Sequence, residues 1–309
     1  MRILLAGGAG DVGKNISDYL CRQGHTLIIL DRSEAPFAHK NCVTTTYKTD
    51  LMDLTLLKDI VADIDIVVNL AWSFSDNPEL LFNYDIIGHI NLLKVCAGAA
   101  VKRYIYTSTA GVYGIPPAGP VDEEYVCRPE RARKPLYAIA KHSSEQLCLA
   151  LGHQHNLPVT VFRFWWAFGN TIGGKHLREL IKLAVTGQTL EMVKGAGGAF
   201  VNMNDLGRAI ELAATRQEAA GNIYNIASLF LSWEEIGQTI IKLAKSTSSL
   251  QLLDAKDWNG PAFLNEIWHL SWDKAAMDLG YSPLLGAADS RVAFCNALAN
   301  CIATVIKEK

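Results

Sequence analysis

The chain predicts a doubly wound α/β fold, a parallel sheet covered by helices, with a smaller substrate lobe toward its C-terminal end. Three observations carry that expectation. Short apolar runs alternate with helix-period segments up to about residue 164, a glycine cluster joins the first run to the first helical segment, and half of the 309 residues are hydrophobic against 19% charged. This composition sustains a sizeable core and excludes a disordered chain, whose few apolar residues cannot offset its conformational entropy.

Residues 3–6 are a short apolar run ended by glycines, a helical pattern follows through Val12, Ile16 and Leu20 to Gly24, and 27–31 return to a strand. The cycle then repeats. Residues 64–70 read as a buried strand, 80–100 as a helix, 103–107 as a strand, 136–152 as a helix and 159–164 as a strand. Right-handed crossovers fix the winding of such a sheet, and its ligands bind beyond the carboxyl ends of the strands. After about residue 165 the pattern loosens: Gly173-Gly174 and Gly195-Ala196-Gly197-Gly198 mark loops, 177–186 and 205–216 read as helices, and 223–226 as a short strand. The expected division is a first domain over 1–168 and a partly interleaved lobe over 169–309.

The charges balance, 29 Lys+Arg against 31 Asp+Glu, so no positive field draws nucleic acid or an anionic membrane. The seven cysteines are odd in number with no Cys-x-x-Cys pair, and the eight histidines show no metal-ligand spacing. Reduced thiols, no metal and a cytoplasmic location are expected. The opening residues leave no room for a signal h-region, and no uncharged apolar run approaches the roughly 18 residues of a membrane span.

Gly7-Gly8-Ala9-Gly10-Asp11-Val12-Gly13 sets Gly-x-x-Gly-x-x-Gly between a strand and a helix. Gly7 permits a tight turn, Gly10 lets the backbone approach a pyrophosphate, and Gly13 allows close helix–strand packing, while the helix start at Asp11 and Val12 faces the phosphates. Glycine-rich turns are common, but Asp31 ends the second strand 18 residues after Gly13, close to the roughly 20 expected of a ribose-binding acid. Its carboxylate favours NAD over NADP by repelling a 2′-phosphate, although Arg32 could accommodate one. Asp11 has the competing reading of a solvent-facing acid at a helix start.

Tyr137 and Lys141 stand four apart on one helical face, where an ammonium favours the phenolate of a tyrosine whose free pKa is ~10. The run from Thr107 to Gly114, Thr-Ser-Thr-Ala-Gly-Val-Tyr-Gly, supplies hydroxyls at the carboxyl edge of the sheet. With Asn69-Leu70-Ala71, Arg163 ahead of Phe168-Gly169, Asn204-Asp205-Leu206 and Leu279-Gly280-Tyr281-Ser282-Pro283, these residues make the chain resemble an extended short-chain dehydrogenase/reductase of the NAD-dependent epimerase/dehydratase family, a Rossmann fold. The resemblance implies that Thr109 hydrogen-bonds the reacting oxygen, Tyr137 is the general acid/base, and Lys141 holds the nicotinamide ribose and lowers the phenol's pKa. It also implies that Asp50 and Leu51 flank the adenine, that Leu70, Ala71 and Trp72 line the cofactor, and that helices 80–100 and 136–152 pair in a homodimer. Asp85-Ile86-Ile87-Gly88 departs from the family's Asn-Val-x-Gly, which predicts a looser backbone brace.

Trp72, Trp165 and Trp166 follow strand ends directly and are expected, with Thr109, to face the substrate; the alternative for the indoles is core packing. Family members that take nucleotide-diphosphate sugars clamp the diphosphate with an asparagine and two arginines; here those places hold Trp166, Gly198 and a stretch over 217–290 without arginine. Neither an indole nor a glycine replaces a bidentate guanidinium. The basic loop of Arg128, Arg131, Arg133 and Lys134, with Lys175 and Arg178, points the other way. The resulting expectation is an NAD-dependent oxidoreductase moving hydride between nicotinamide and a hydroxyl or carbonyl carbon of a small apolar, aromatic or free-sugar substrate. One alternative is a nucleotide-sugar epimerase with tightly bound NAD. Another is a non-catalytic NAD-sensing regulator, against which the Thr109, Tyr137 and Lys141 set stands.

Overall fold

The computed structural model describes residues 1–34, 42, 44–73, 75–99 and 101–308. Its first half runs β1 (Arg2–Ala6), α1 (Asp11–Arg22), β2 (Thr26–Asp31), β3 (Thr44–Lys48), α2 (Leu54–Val61), β4 (Ile66–Asn69), α3 (Pro78–Leu80), a π-helical stretch (Leu81–Ile86), α4 (Ile87–Ala97), β5 (Arg103–Thr107), α5 (Pro135–Gln154) and β6 (Val159–Arg163). The remainder runs β7 (Trp166–Phe168), α6 (Lys175–Val185), β8 (Leu190–Val193), β9 (Gly197–Asn202), α7 (Met203–Thr215), β10 (Asn222–Asn225), β11 (Leu229–Ser232), α8 (Trp233–Leu243), β12 (Leu250–Leu253), β13 (Ile267–Trp268), α9 (Asp273–Leu279) and α10 (Ala287–Lys307).

Seven strands form one sheet in the order β10-β6-β5-β4-β1-β2-β3, every pairing parallel. The doubly wound expectation is met, and the physical reason is visible along β1. Ile3 and Leu5 turn to one face, against Ile16 and Leu20 of α1 and Leu206 and Ile210 of α7. Leu4 and Ala6 turn to the other, against Leu57 and Ile60 of α2 and Leu92 and Leu93 of α4. A strand buried on both faces reads as an unbroken apolar run, which is why this part was legible. Winding reverses between β1 and β4, and there the crevice opens.

Several features differ from the sequence expectation. β3, with the sequence Thr-Thr-Thr-Tyr-Lys, is an edge strand whose threonines are largely exposed, so it offers no apolar run to find. The helix expected over 80–100 begins at Pro78 and passes through the π-helical stretch; Ala100 lies outside the described residues. β10 pairs with β6 at the far edge of the main sheet although its residues follow the looser segment. Cys21 and Cys42 form a disulfide, which corrects the reading of all thiols as reduced: the end of α1 and the approach to β3 bring their Cα atoms to 5.3 Å, a proximity that spacing in sequence does not reveal.

A second core fills the remaining part. β9 pairs with β7, β11 and β13, and Phe168, Phe200, Leu231, Trp233 and Phe294 pack with Leu180 and Ile181 of α6. Among the described residues, no helix is long and apolar enough to cross a membrane, and no group of three His, Cys, Asp or Glu side chains could hold a metal ion.

Candidate active site

The glycine loop is shaped by what its glycines lack. Gly7 has φ +79°, and a Cβ there would stand 2.6 Å from the backbone of Ala71; a Cβ on Gly13 would meet Gly8 at 2.5 Å. The loop therefore presses against both the end of β4 and its own helix, leaving the N-terminus of α1 facing a cavity of ≈ 650 Å³. Asp31 holds this shape from the side: its carboxylate accepts from Ala9 N at 3.0 Å and from Ser33 N at 2.9 Å. Asp11 is exposed in the first turn of α1 and still lines the cavity.

At the other end stand the hydroxyl and amine groups. Thr109 follows β5, and its Oγ1 accepts from Gly111 N at 3.1 Å while the side chain also hydrogen-bonds Tyr137. Tyr137 lies in the first turn of α5 and Lys141 one turn on. Lys141 is buried, and its Nζ donates to Thr107 O at 2.9 Å. α5 is anchored by Glu145, which accepts from Arg163 Nε at 2.9 Å and Nη2 at 2.7 Å, both side chains being buried. Removing one partner of such a pair strands a buried charge, at a cost of about 3–5 kcal/mol.

The expected lowering of the Tyr137 phenol is not what the protein's own residues produce. Burial pushes it up to about 12, opposed by the Thr109 hydrogen bond and aided by the negative charge of Asp85. Burial likewise pulls Lys141 down to about 7, against Asp85 and Glu145. The ammonium is turned to the Thr107 carbonyl, and desolvation dominates both groups. Asp85 also corrects its expectation: it accepts from Ser73 N at 2.8 Å and Ser73 Oγ at 2.6 Å, bracing the backbone after β4.

The residues expected to bind cofactor or substrate or to act in catalysis line this one cavity: Gly7, Gly10, Asp11, Val12 and Gly13 of the loop, Asp31 and Arg32, Asp50 and Leu51, Leu70, Ala71 and Trp72, Thr109, Tyr137 and Lys141, and Trp165 and Trp166. Tyr84, Asp85, Thr49 and Met203 line it too and were not anticipated as site residues. Tyr84 and Asp85 come from the π-helical stretch, whose register a 3.6-residue period does not describe.

The two adjacent indoles are both wall and core. Trp165 packs 5.3 Å from Phe200 and 6.0 Å from Trp233, and a Cβ on Gly198 would collide with its ring. Trp166 stacks on Phe200 at 5.7 Å, donates its Nε1–H to Gly173 O at 2.8 Å, and needs Gly174 bare, since a Cβ there would lie 2.4 Å away. The basic loop is largely engaged outside the cavity. Arg128 and Arg131 reach Glu130 at 4.0 and 3.9 Å, Lys134 reaches Asp76 at 3.6 Å, Lys175 reaches Glu179 at 3.8 Å, and Arg178 pairs with Glu308.

Comparison with known proteins agrees with this geometry. The fold is that of a UDP-glucose 4-epimerase from Thermotoga maritima solved with UDP-glucose (TM-score 0.79, 20% identity, 99% of this chain and 100% of that one). It is also that of DesIV, a dTDP-glucose 4,6-dehydratase from Streptomyces venezuelae solved with NAD (TM-score 0.77, 22% identity, 100% and 98%). In sequence the chain is 28% identical to a UDP-N-acetyl-alpha-D-glucosaminuronate decarboxylase of Bacillus cytotoxicus, over 81% of this chain and 82% of the relative. It is also 28% identical to UDP-glucuronic acid decarboxylase 1 of Danio rerio, of whose length it spans 64%. A family profile matches residues 3–227, nearly three quarters of the chain. The protein belongs to the NAD-dependent epimerase/dehydratase family.

Proposed function

We propose that the protein oxidises and re-reduces a hydroxyl-bearing carbon of a sugar nucleotide, with NAD kept bound through the cycle as in an epimerase. The observation that carries the reaction type is the placement of a glycine cradle with Asp31 at one end of a single cavity and Thr109, Tyr137 and Lys141 at the other. The cradle fits the cofactor: bare Gly7 and Gly13 let the loop close onto Ala71 and Gly8, a Cβ position at Gly10 has nothing nearer than 3.5 Å, and the α1 N-terminus suits a pyrophosphate. Bound there, NAD supplies the carbon that takes and returns a hydride.

The residues do the rest. Thr109 and Tyr137 hold the reacting oxygen between two hydroxyls, and the phenol, protonated near neutrality, is set to donate or accept that oxygen's proton. Lys141 would hold the nicotinamide ribose. The relatives, decarboxylases acting on UDP-linked sugar acids by name, favour a sugar nucleotide over the free sugar or aromatic alcohol expected from the sequence.

A second reading rests on one observation. Trp165 lies on Gly198, where the family's diphosphate arginine is expected, so an aromatic floor replaces a cation. A substrate without a diphosphate would suit that floor. Incubation with NAD and UDP-, GDP- and dTDP-linked sugars, followed by chromatography of the sugars and absorbance at 340 nm, tests both. A changed sugar with no net NADH supports the first reading; no change in any of these sugars, with NADH formed when an uncharged alcohol replaces them, supports the second.

A further inference from the structure

Lys141 is enclosed by more than its hydrogen bond to Thr107. Its Nζ lies 4.0 Å from the centre of the Trp72 ring and 4.9 Å from that of Tyr106, so two aromatic faces cover the ammonium. Trp72 also meets the Tyr137 ring edge-on, centroids 5.8 Å apart. Its own indole Nε1 is buried with no hydrogen-bond partner, so the ring is not held by a bond of its own. The next residue supplies that restraint: both the amide and the hydroxyl of Ser73 donate to Asp85.

We propose that Asp85 and Trp72 are positioning residues: the Asp85 carboxylate pins the Trp72-Ser73 segment, and the pinned indole, with the nearby negative charge, keeps Lys141 an ammonium at the cavity wall. The assignment rests on the reading of Lys141 and Tyr137 as working groups, while the linkage itself stands on the contacts. Asparagine, the residue expected at this place from the family resemblance, could keep a bond to Ser73 N but brings no charge.

The groups facing Lys141 support this. Glu145 approaches from its own helix but is occupied by Arg163, His89 approaches from α4 and is held neutral by burial, and Tyr106 and Tyr137 are protonated phenols. Asp85, which also faces Arg32, is the charge that most strongly opposes the desolvation of Lys141. Burial raises the Asp85 carboxyl as well, and the two Ser73 bonds and Lys141 counter that.

The test needs neither substrate nor cofactor. Fluorescence of the wild-type protein minus that of Trp72→Phe isolates the Trp72 signal, which responds when the ammonium over the indole loses its proton. A transition is expected near the Lys141 value of about 7. Asp85→Asn should lower its midpoint by about one pH unit, and Asp85→Glu should restore it. Ser73→Ala, which loses the hydroxyl bond to Asp85 and keeps the amide bond, should lower the anisotropy of Trp72 and lower the midpoint by less than Asp85→Asn does. An unchanged midpoint in a folded Asp85→Asn protein, or no transition between about pH 5 and 9, overturns the charge linkage. If Asp85→Asn does not fold by circular dichroism, Ser73→Ala decides, and an unchanged midpoint together with unchanged Trp72 anisotropy overturns the proposal. A failed assay of the proposed reaction leaves these outcomes readable.

Discussion

At the residue scale, burial keeps the Tyr137 proton in place at neutral pH, so in the proposed reaction the phenol would start out protonated. Tyr137→Phe is expected to lower turnover by at least about two orders of magnitude, the scale of a positioned acid/base, with NAD affinity by calorimetry nearly unchanged. Wild-type turnover in that variant would remove Tyr137 from the chemistry. Asp31→Ala should narrow the ratio of kcat/KM for NAD over NADP, because the carboxylate that repels a 2′-phosphate is gone. A wild-type protein that prefers NADP would show Arg32 to dominate. Gly7, Asp31, Thr109, Tyr137 and Lys141 were legible because each occupies a fixed offset from a strand end or a helix face. Asp85 and Gly198 stood out as departures from the family pattern, but their contacts with Ser73 and Trp165 were not legible, since only the fold brings those residues to them.

At the scale of elements, one buried histidine ties α4 to its neighbours. His89 Nε2 lies 3.1 Å from Ser144 O in α5, so it must carry the ring proton, leaving Nδ1 to accept from Asn69 Nδ2 at 3.0 Å and from the Tyr104 hydroxyl at 3.1 Å. A second proton would have to face those donors without water, and burial accordingly pulls the ring down to about 3. The folded pKa lies below the unfolded value, so the unfolded chain binds more protons between about pH 3 and 6.5 and stability falls as pH drops through that window. The slope from this group approaches about 1.4 kcal/mol per pH unit. Urea titrations of His89→Gln from pH 7 down to 4 should show a shallower fall than the wild type; equal slopes would assign the acid sensitivity elsewhere.

At the scale of the whole molecule, Leu80, Phe82, Ile87 and Leu136 are exposed on the α3–α4 segment and α5. Isolated apolar side chains on a surface are ordinary, but four on two neighbouring segments suit a twofold contact. Light scattering at micromolar concentration should give about twice the 33.9 kDa of one chain; a single-chain mass would refute the pairing. The sheet and its helices were readable because strands buried on both faces spell continuous apolar runs. The second core was much less so: β8, β11 and β12 are four-residue strands with mixed exposure, and Gly197 and Gly198 open β9 without side chains to pattern.

The position of β10 has a practical consequence for anyone cutting the chain. A truncated protein ending at Phe168 would retain the glycine loop, Thr109, Tyr137 and Lys141 and still be missing the outermost neighbour of β6. The register Thr160 to Asn222 through Arg163 to Asn225 would be stripped away, and with it the α7 surface that covers Ile16 and Leu20. The bared amides and carbonyls of β6 would form a sticky, ribbon-like margin open to any other strand. Such a fragment is expected to precipitate or self-associate on gel filtration, whereas one carried on through residue 226 should elute with a smaller aggregated fraction. Equal solubility of the two would mean that the β6 margin is protected by something other than β10.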